Sequence, residues 1–204
     1  MSTAAETRKR LIEQGRLAFA DRGHDGVSLH KDILEPAGVS TGSFYHQFDD
    51  KTDLLVAILE EASRRGQYLL SAPELRDPAS DPATAARHGY RVWFELIDGA
   101  EDLFRIQMRE RYNRDERVRA LLAQVRGRWI EAVAANLAAR NPDAKSPFDR
   151  AVASQLIAAL STGVLTHYLD TAPHRRAALR ESLIDALADF TIGGLAGLAA
   201  TSPS

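Results

Sequence analysis

Hydrophobic residues recur at helical spacing along nearly the whole chain. Between residues 7 and 21, Leu11, Gly15, Ala18 and Phe19 fall at positions i, i+4, i+7 and i+8 and form one apolar stripe. The same periodicity predicts further helices at residues 50–70, 82–98, 101–112, 116–140, 148–170 and 173–200. Residues 71–81 and 141–147 are rich in polar residues and proline and are predicted to be loops. No segment has a convincing strand pattern, so the predicted fold class is all-α.

A different pattern occupies residues 28–51, where two short helical segments flank a glycine. Gly38 suits a left-handed turn that a residue with a Cβ would resist. Ser40 is placed to cap the next helix, and Val39 and Phe44 have the spacing of a hydrophobic staple around that cap. The helix that follows is only about two turns long and would be unstable alone, and its side chains are small or polar. These features are typical of a helix-turn-helix recognition element.

Pro36 interrupts the helix that precedes this turn. Proline lacks an N–H, and its ring crowds the carbonyl four residues earlier, here that of Asp32. We therefore expect the first short helix to end near Glu35. A plain three-helix bundle without a ligand is the simplest alternative for this part of the chain, but such a bundle would not need an exposed helix lined with hydrogen-bonding side chains.

Three segments, TRKRLIEQGRLAFADRGHDGVSL, DILEPAGVSTGSFYHQF and DKTDLL, resemble the N-terminal signature of the TetR family of bacterial transcriptional regulators. Leu34 stands where that family usually has a small alanine, which predicts a wider contact between the two short helices. The resemblance covers about the first quarter of the chain. It rests on ordered landmarks: Phe19, Gly23, Ser28, Ile33, Ala37-Gly38-Val39-Ser40, Tyr45, Phe48, Lys51 and Leu54-Leu55.

The resemblance implies a helix-turn-helix DNA-binding domain at residues 5–51, with a linking helix to about residue 70. It implies a larger helical ligand-binding and dimerisation domain at residues 52–204. The expected partners are a palindromic operator in double-stranded DNA, a second copy of the chain and a small-molecule effector that moves the linking helix. Contacts to base edges are expected from Thr41, Gly42 and Ser43. Contacts to phosphates are expected from Ser28, Tyr45, His46 and Lys51.

Composition and charge add two constraints. The 204 residues include no cysteine, which excludes disulfides and thiolate metal sites. The start, MSTAAETRKR, lacks the apolar core of a signal peptide. The longest weakly polar run is about half of the roughly 20 residues that span a bilayer. We therefore expect a cytoplasmic protein without membrane contact. The first 51 residues hold seven Lys/Arg against eight Asp/Glu, a net charge of −1, which argues mildly against DNA binding.

Catalytic chemistry has no support in the sequence. The six histidines form no pair at metal-ligand spacing. The chain has no Ser-His-Asp pattern, phosphate loop or nucleotide fingerprint. We expect no enzymatic activity, no metal and no cofactor.

The second domain contains large side chains on its predicted helices. Core packing is the simplest explanation for each of them, whereas the resemblance implies a small-molecule pocket between the middle helices. His167 would be a polar group of that pocket or a buried histidine with its hydrogen bonds satisfied. The other candidate pocket residues are Trp93, Phe94, Phe104, Met108, Tyr112, Trp129 and Tyr168.

Arginine is concentrated between residues 105 and 128, with eight arginines against three acidic residues, a net charge of +5. A solvated, ion-paired helical face is the simplest explanation. The alternative is a pocket mouth that attracts an anionic effector, because guanidinium groups suit phosphate and carboxylate. The pattern of Phe104-Arg105 and Arg109-Glu110-Arg111 is also similar to TetR regulators that respond to fatty acyl-CoA.

The last two predicted helices combine small residues with an apolar stripe. The resemblance implies that they pair with their copies in a four-helix dimer interface, although the small residues suit internal packing equally well. The residues expected at this interface are Ala158, Leu179, Leu183, Leu187, Phe190 and Gly194.

The sequence therefore predicts a ligand-responsive, homodimeric repressor of the TetR type. The alternative is a helical adaptor that binds protein through its apolar faces and keeps the helix-turn-helix only as structure. The acidic balance of the first domain and Pro36 favour that alternative. Changing Tyr45 to Phe together with Lys51 to Ala separates the two, because only a DNA reader would lose affinity for DNA.

Overall fold

The computed structural model describes residues 3–70, 81–140 and 147–201, and every regular element within those ranges is a helix. In chain order they are α1 (Ala4–Gly26), α2 (a π-helical segment, Leu29–Leu34, followed directly by an α-helical turn, Glu35–Ala37), α3 (Thr41–Tyr45), α4 (Lys51–Leu70), α5 (Pro82–Gly99), α6 (Glu101–Glu110), α7 (Glu116–Arg140), α8 (Pro147–Asp170) and α9 (Pro173–Thr201). The all-α prediction is confirmed. Most of the two predicted loops, at residues 71–81 and 141–147, lies outside the described residues.

The first helix is longer than the periodicity predicted. At its start, the Thr3 hydroxyl accepts the N–H of Glu6 at 3.2 Å, and the Glu6 carboxylate accepts the N–H of Thr3 at 2.8 Å. This reciprocal cap satisfies two donors that a helix start leaves free. Near the other end, Gly23 departs from helical geometry with φ 70° and ψ 168°, so the helix is kinked before it ends at Gly26.

The described chain divides into two compact units, of which the first contains the helix-turn-helix segment. It comprises Met1–Arg65 and Ala100–Val125, so α6 and the first part of α7 pack with α1 to α4. A Cβ on Gly15 would lie 2.9 Å from Cδ2 of Leu54, which explains why α1 has glycine where it crosses α4. The predicted functional division at residue 51 stays a prediction. The largest fully buried side chains of this unit are Phe19, Phe44, Leu11, Ile33, Leu54, Leu55, Ile58, Leu59 and Ile106.

The second compact unit comprises Gly66–Gly99 and Arg126–Ser204. Within it, α9 packs against both α5 and α8. At the surface of the α5–α9 contact, Arg87 donates to Asp185 at 2.9 Å and to Asp189 at 2.8 Å. The apolar face of α5 is formed by Tyr90, Trp93, Phe94 and Ile97, all buried.

Within the described ranges, one stretch of α8 is long and apolar enough to cross a membrane by length and composition alone. It runs over Arg150–Asp170, with a mean hydropathy of 1.2, and 39 % of it is buried in the protein. The core helix of a globular protein meets the same criterion, so this property is weak support for a membrane span.

Candidate nucleic-acid interface

The structure accommodates Pro36 in a way that the sequence did not indicate. The N–H of Glu35 donates to the carbonyl of His30, five residues earlier, because the first part of α2 is π-helical. Pro36 then lies in the first turn of the α-helical segment that follows, where a missing N–H breaks no helical hydrogen bond. The expectation that the helix ends near Glu35 is therefore wrong, since helical backbone continues to Ala37.

The turn after α2 is formed as predicted. Gly38 has φ 61° and ψ 39°, in the left-handed region, and its N–H donates to the carbonyl of Glu35 at 3.1 Å. A further contact was not predicted from the sequence: Nη1 of Arg10 on α1 donates to the carbonyl of Ala37 at 3.0 Å. This bond fixes α1 to the last residue before the turn, so Arg10 helps to hold the entry to α3.

Helix α3 is held from both ends although it is short. The Ser40 hydroxyl oxygen accepts the N–H of Ser43 at 3.2 Å, as expected for a cap. Val39 and Phe44, the predicted staple, are both buried, and Phe44 has no exposed surface. Burial of a phenylalanine on one side of a five-residue helix leaves the other side turned outward.

The outward side of α3 consists of the residues predicted to contact DNA. Thr41, Gly42, Tyr45 and His46 are exposed, and Ser43 is half-buried. Tyr45 is 57 % exposed, and its ring stands edge-on to the ring of Phe44 at a centroid distance of 5.3 Å. A Cβ built on Gly42 would have no other atom within 4 Å. This face is therefore exposed in the part of the chain that the structure describes.

Two of the predicted phosphate contacts also have structural roles. Ser28 caps α2: its hydroxyl oxygen accepts the N–H of Lys31 at 3.4 Å, and its own N–H donates to Asp32 at 2.8 Å. Nζ of Lys51 donates to the carbonyl of His24 at 2.5 Å and to that of Val27 at 2.7 Å. An ammonium group has three N–H donors, so one remains for a further acceptor.

A buried carboxylate lies at the end of α6 and was not predicted from the sequence. Glu110 is 5 % exposed; its Oε1 accepts the N–H of His24 at 2.6 Å and its Oε2 accepts Nδ2 of Asn113 at 2.5 Å. The signal that could have revealed it is its position, since Glu110 follows Leu103 and Ile106 on the same apolar stripe of α6. A charged residue on a buried stripe needs a hydrogen-bonding partner inside the protein.

The ring of His24, at the same corner, contacts two further polar groups. Nδ1 of His24 lies 3.1 Å from the Asp25 carboxylate, and Nε2 lies 3.0 Å from the hydroxyl of Thr52. The hydrogen bond with His24 is the main cause that lowers the pKa of the Asp25 carboxyl below its usual value, and the charges of Arg114 and Lys51 act in the same direction. The end of α1, the start of α4 and the loop after α6 therefore form one polar cluster.

Part of the arginine-rich stretch is an ion-paired face. Arg105 pairs with Glu101 at 2.8 Å, and Arg119 pairs with Glu116 at 2.5 Å. The guanidinium of Arg117 lies 3.0 Å from Asp115 and 3.1 Å from Asp50. These three arginines follow the simpler of the two explanations that the sequence left open.

Four of the candidate pocket residues come together in the second compact unit. Ring centroids are 5.0 Å apart for Trp93 and Phe94, 6.3 Å for Trp93 and Trp129, and 4.9 Å for Phe94 and Tyr168. The Tyr168 hydroxyl donates to Asp98 at 2.7 Å. Burial, together with this bond to a carboxylate, raises the pKa of Tyr168 to about 12.

The other four candidates are placed differently. His167 is exposed on α8, so it is not a buried histidine. Phe104 and Met108 are half-buried on α6, which belongs to the first compact unit. Tyr112 follows α6 and is 80 % exposed. Among the described residues, no group of three or more His, Asp or Glu side chains is arranged to hold a metal ion.

The candidate dimer residues divide between the interior and the surface of the protomer. Ala158 and Leu187 are 6 % and 4 % exposed, so both pack inside the second compact unit. Phe190, by contrast, is 70 % exposed, and Leu156 on α8 is 57 % exposed. Leu179 and Leu183 are half-buried and Gly194 is exposed. Among the described residues, α8 and α9 thus each carry one large exposed apolar side chain, Leu156 and Phe190.

Comparison with known proteins adds two family matches. The model described as "Bacterial regulatory proteins, tetR family" matches residues 11–58, and the model described as "Tetracyclin repressor-like, C-terminal domain" matches residues 82–190. The chain is 37 % identical over 94 residues to the HTH-type transcriptional regulator TtgR of Pseudomonas putida, covering 46 % of this chain and 44 % of that protein. It is 30 % identical over 92 residues to the HTH-type transcriptional repressor DhaR of a Mycobacterium species, covering 45 % and 46 %. The chain thus spans less than half the length of these curated relatives.

Solved structures share the fold at low sequence identity. A TetR-family transcriptional regulator from Agrobacterium tumefaciens has a TM-score of 0.70 at 16 % identity, over 90 % of this chain and 98 % of that one. The fatty acid degradation regulator FadR from Bacillus halodurans has a TM-score of 0.70 at 17 % identity, over 91 % and 98 %. At such identities the likeness extends to the fold alone.

Proposed function

This chain belongs to the TetR family of bacterial regulatory proteins, and we propose that it is a repressor that reads a palindromic operator as a homodimer and is released by a small-molecule effector. The observation that carries the DNA-reading part is the exposed polar face of α3 on a helix anchored by buried Phe44. A helix with that division of its surface suits insertion into the major groove, where side chains reach base edges.

Within this interface, Thr41, Gly42 and Ser43 lie at the start of α3 and are assigned to base edges. Tyr45 and His46, at its end, are assigned to phosphates. Ser28 and Lys51 are assigned to phosphates as well, Lys51 through the one N–H that its two carbonyl partners leave over.

The experiment that tests the DNA-reading function is selection of a randomised duplex pool on purified protein at near-physiological salt. Recovery of a shared palindrome is the expected result. Retention without a shared sequence, lost as salt rises, would reveal only non-specific phosphate contact and would favour the adaptor alternative. On the recovered duplex, Tyr45→Phe with Lys51→Ala is expected to reduce the affinity for every DNA sequence alike.

Gly42 offers a sharper test, because the space around it in the free protein is open. Gly42→Ala is expected to leave the fold intact or slightly more stable, since alanine favours a helix by about 0.5–1 kcal/mol over glycine. The added methyl group would nevertheless obstruct close approach to a base edge, so operator affinity should fall at least tenfold. Gly127→Ala on α7, where a Cβ also meets nothing within 4 Å, is the matched control. Equal operator affinity in the two variants would contradict the assignment of α3.

The homodimer is supported by the exposure of two large apolar side chains, Leu156 on α8 and Phe190 on α9. A twofold dimer would present two recognition helices to matching half-sites about one helical turn apart. Phe190→Glu is expected to convert the protein to monomers in sedimentation velocity, because it puts a charge into the proposed interface. Asp189→Asn, one position earlier at the α5–α9 surface, should leave the assembly unchanged.

The effector site is proposed at the aromatic cluster of Trp93, Phe94, Trp129 and Tyr168, with an anionic amphiphile such as a fatty acyl-CoA as the ligand class. The chain has two tryptophans, and both are in this cluster, so tryptophan fluorescence reports on it alone. Titration with acyl-CoAs of increasing chain length should change the emission and release the operator over the same concentration range. Trp129→Phe leaves Trp93 as a single reporter and identifies which ring responds. An unchanged spectrum at every chain length would count against this ligand class.

A regulator of transcription in bacteria acts in the cytoplasm, which is the location we propose.

A further inference from the structure

A basic loop lies at the junction of α6 and α7, inside the first compact unit. It carries Arg111, Tyr112 and Arg114, all of them exposed, with Tyr112 80 % exposed. The guanidinium of Arg111 lies over the Tyr112 ring, 4.8 Å from its centroid. Within the ranges that the structure describes, neither arginine makes a salt bridge, so these cations differ from Arg105, Arg117 and Arg119 of the same stretch.

The loop is held from inside by hydrogen bonds. The side-chain amide of Asn113 donates to Glu110 at 2.5 Å, and its oxygen accepts the N–H of Asp115 at 2.8 Å. Arg119 donates to the carbonyls of Asn113 at 3.1 Å and Arg114 at 2.6 Å. Because the backbone is fixed in this way, binding through the exposed side chains would require little further ordering of the loop.

The same loop is joined to the start of α4. Glu110, just before it, accepts the N–H of His24, whose carbonyl binds Nζ of Lys51. Arg117, just after it, donates to the Asp50 carboxylate at 3.1 Å, and Asp50 accepts the N–H of Asp53 as the cap of α4. The loop therefore borders the end of α4 that the proposed DNA interface already includes.

We propose that Arg111, Tyr112 and Arg114 form a second phosphate-binding surface, which contacts the DNA backbone beside the recognition helix. This rests on the proposed DNA-reading function. Guanidinium groups bind phosphate through charge-assisted hydrogen bonds, and an exposed phenol adds an O–H donor. Residues 1–51 carry a net charge of −1 although Lys51 is among them, so two further exposed arginines would add to the positive charge available for phosphate binding.

The test uses the full chain and a fluorescently labelled duplex recovered by the selection experiment, with an unrelated duplex of equal length beside it. Affinity is measured for Arg111→Gln with Arg114→Gln over a series of salt concentrations. The matched control, Arg64→Gln with Arg126→Gln, makes the same change in net charge. Arg64 lies on α4, 13 residues after its first residue, Lys51, and Arg126 lies on α7, 12 residues after Arg114, so neither belongs to the loop. All four side chains are exposed or half-exposed, and circular dichroism checks that the variants fold.

The loop variant is expected to lower the slope of log affinity against log salt by about 1.8, since each phosphate contact contributes about 0.9. Its affinity should fall by up to about 60-fold at 0.1 M salt on both duplexes and approach that of the wild type near 1 M. An unchanged slope in the loop variant, or an equal change in the control, would overturn this inference and leave the DNA-reading function standing. Loss of release by acyl-CoA with unchanged DNA affinity would also overturn it, because the cations would then serve a small anion. A wild-type protein that binds neither duplex at low salt would overturn both proposals.

Discussion

Replacement of Glu110 is the perturbation for which the structure gives the clearest magnitude. Its buried carboxylate accepts the N–H of His24 and the side-chain amide of Asn113. Hydrogen bonds to a charged group contribute about 1.5–3 kcal/mol each, and a buried donor left without a partner costs about 1–3 kcal/mol. Glu110→Ala leaves both donors unpaired, so we expect it to lower the free energy of unfolding of this unit by about 2–5 kcal/mol.

Glu110→Gln separates the hydrogen bonds from the packing. Glutamine has nearly the same shape, and its carbonyl oxygen replaces one acceptor, but its NH₂ group meets a second donor. The expected loss is therefore intermediate, about 1–2 kcal/mol. Glu116→Ala is the control, because the side chain of Glu116 is 84 % exposed and pairs with Arg119 at the surface. A surface pair of this kind contributes at most about 1 kcal/mol.

The assay is urea unfolding of the three variants at one fixed protein concentration, combined with amide hydrogen exchange at His24. Fixed concentration matters because association would stabilise the folded state by mass action. The His24 amide should lose protection in Glu110→Ala and keep part of it in Glu110→Gln. A loss of stability in Glu110→Ala no larger than that in Glu116→Ala, with His24 still protected, would refute the reasoning.

Three further predictions concern other parts of the fold. Gly38→Ala should lower the melting temperature by the equivalent of about 1–2 kcal/mol, because a residue with a Cβ is unfavourable in the left-handed region. The cost would come from the backbone conformation, since the space around the added Cβ is adequate. An unchanged melting temperature would mean that the turn relaxes. Lys51→Met should destabilise the protein by about 2–4 kcal/mol in urea unfolding, because two hydrogen bonds of the ammonium group are lost. If the third N–H of Lys51 binds a phosphate, the same variant should also lower the slope of log affinity for DNA against log salt by about 0.9. The pKa of Tyr168 is raised to about 12, so between pH 10 and 12 the unfolded chain loses this proton first and stability falls as pH rises. Tyr168→Phe should remove that part of the alkaline loss of stability in unfolding experiments between pH 10 and 12. An identical pH dependence in both proteins would exclude Tyr168 as its source.

Local patterns sufficed for the helices and for the helix-turn-helix. Helix periodicity and caps depend on residues three or four positions apart, and the Ser40 cap, the Gly38 turn and the buried pair of Val39 and Phe44 all appear in the structure as expected. Pro36 was misjudged because the sequence does not indicate that a π turn precedes it. Propensity alone predicts a stop at such a proline, whereas a shift of the hydrogen-bonding partner removes the conflict.

The polar cluster around His24 could not be predicted in the same way, since its members are distant in sequence. Glu110 reaches an N–H that is 86 positions away, and Lys51 reaches a carbonyl 27 positions away. Contacts of this kind depend on how α6 and α4 cross α1, which the periodicity of any single helix does not determine. The place of Lys51 at the start of α4 predicts a phosphate contact, but it does not indicate the two carbonyl groups that its ammonium group binds.

These long-range bonds give the His24 peptide unit a position from which two helices can influence each other. Its N–H binds the last residue of α6 and its carbonyl binds the first residue of α4. A shift of α6 by about 1 Å would lengthen the 2.6 Å hydrogen bond between the His24 N–H and Glu110 beyond hydrogen-bonding distance, unless the end of α1 moved with α6. If the end of α1 did move, the His24 carbonyl that binds Lys51 would move with it. The free energy of two or three charged hydrogen bonds, a few kcal/mol, is of the same order as the 1–3 kcal/mol by which an effector typically changes the affinity of a distant site. The two hydrogen bonds of the His24 peptide unit thus give a direct polar connection from the end of α6 to the start of α4.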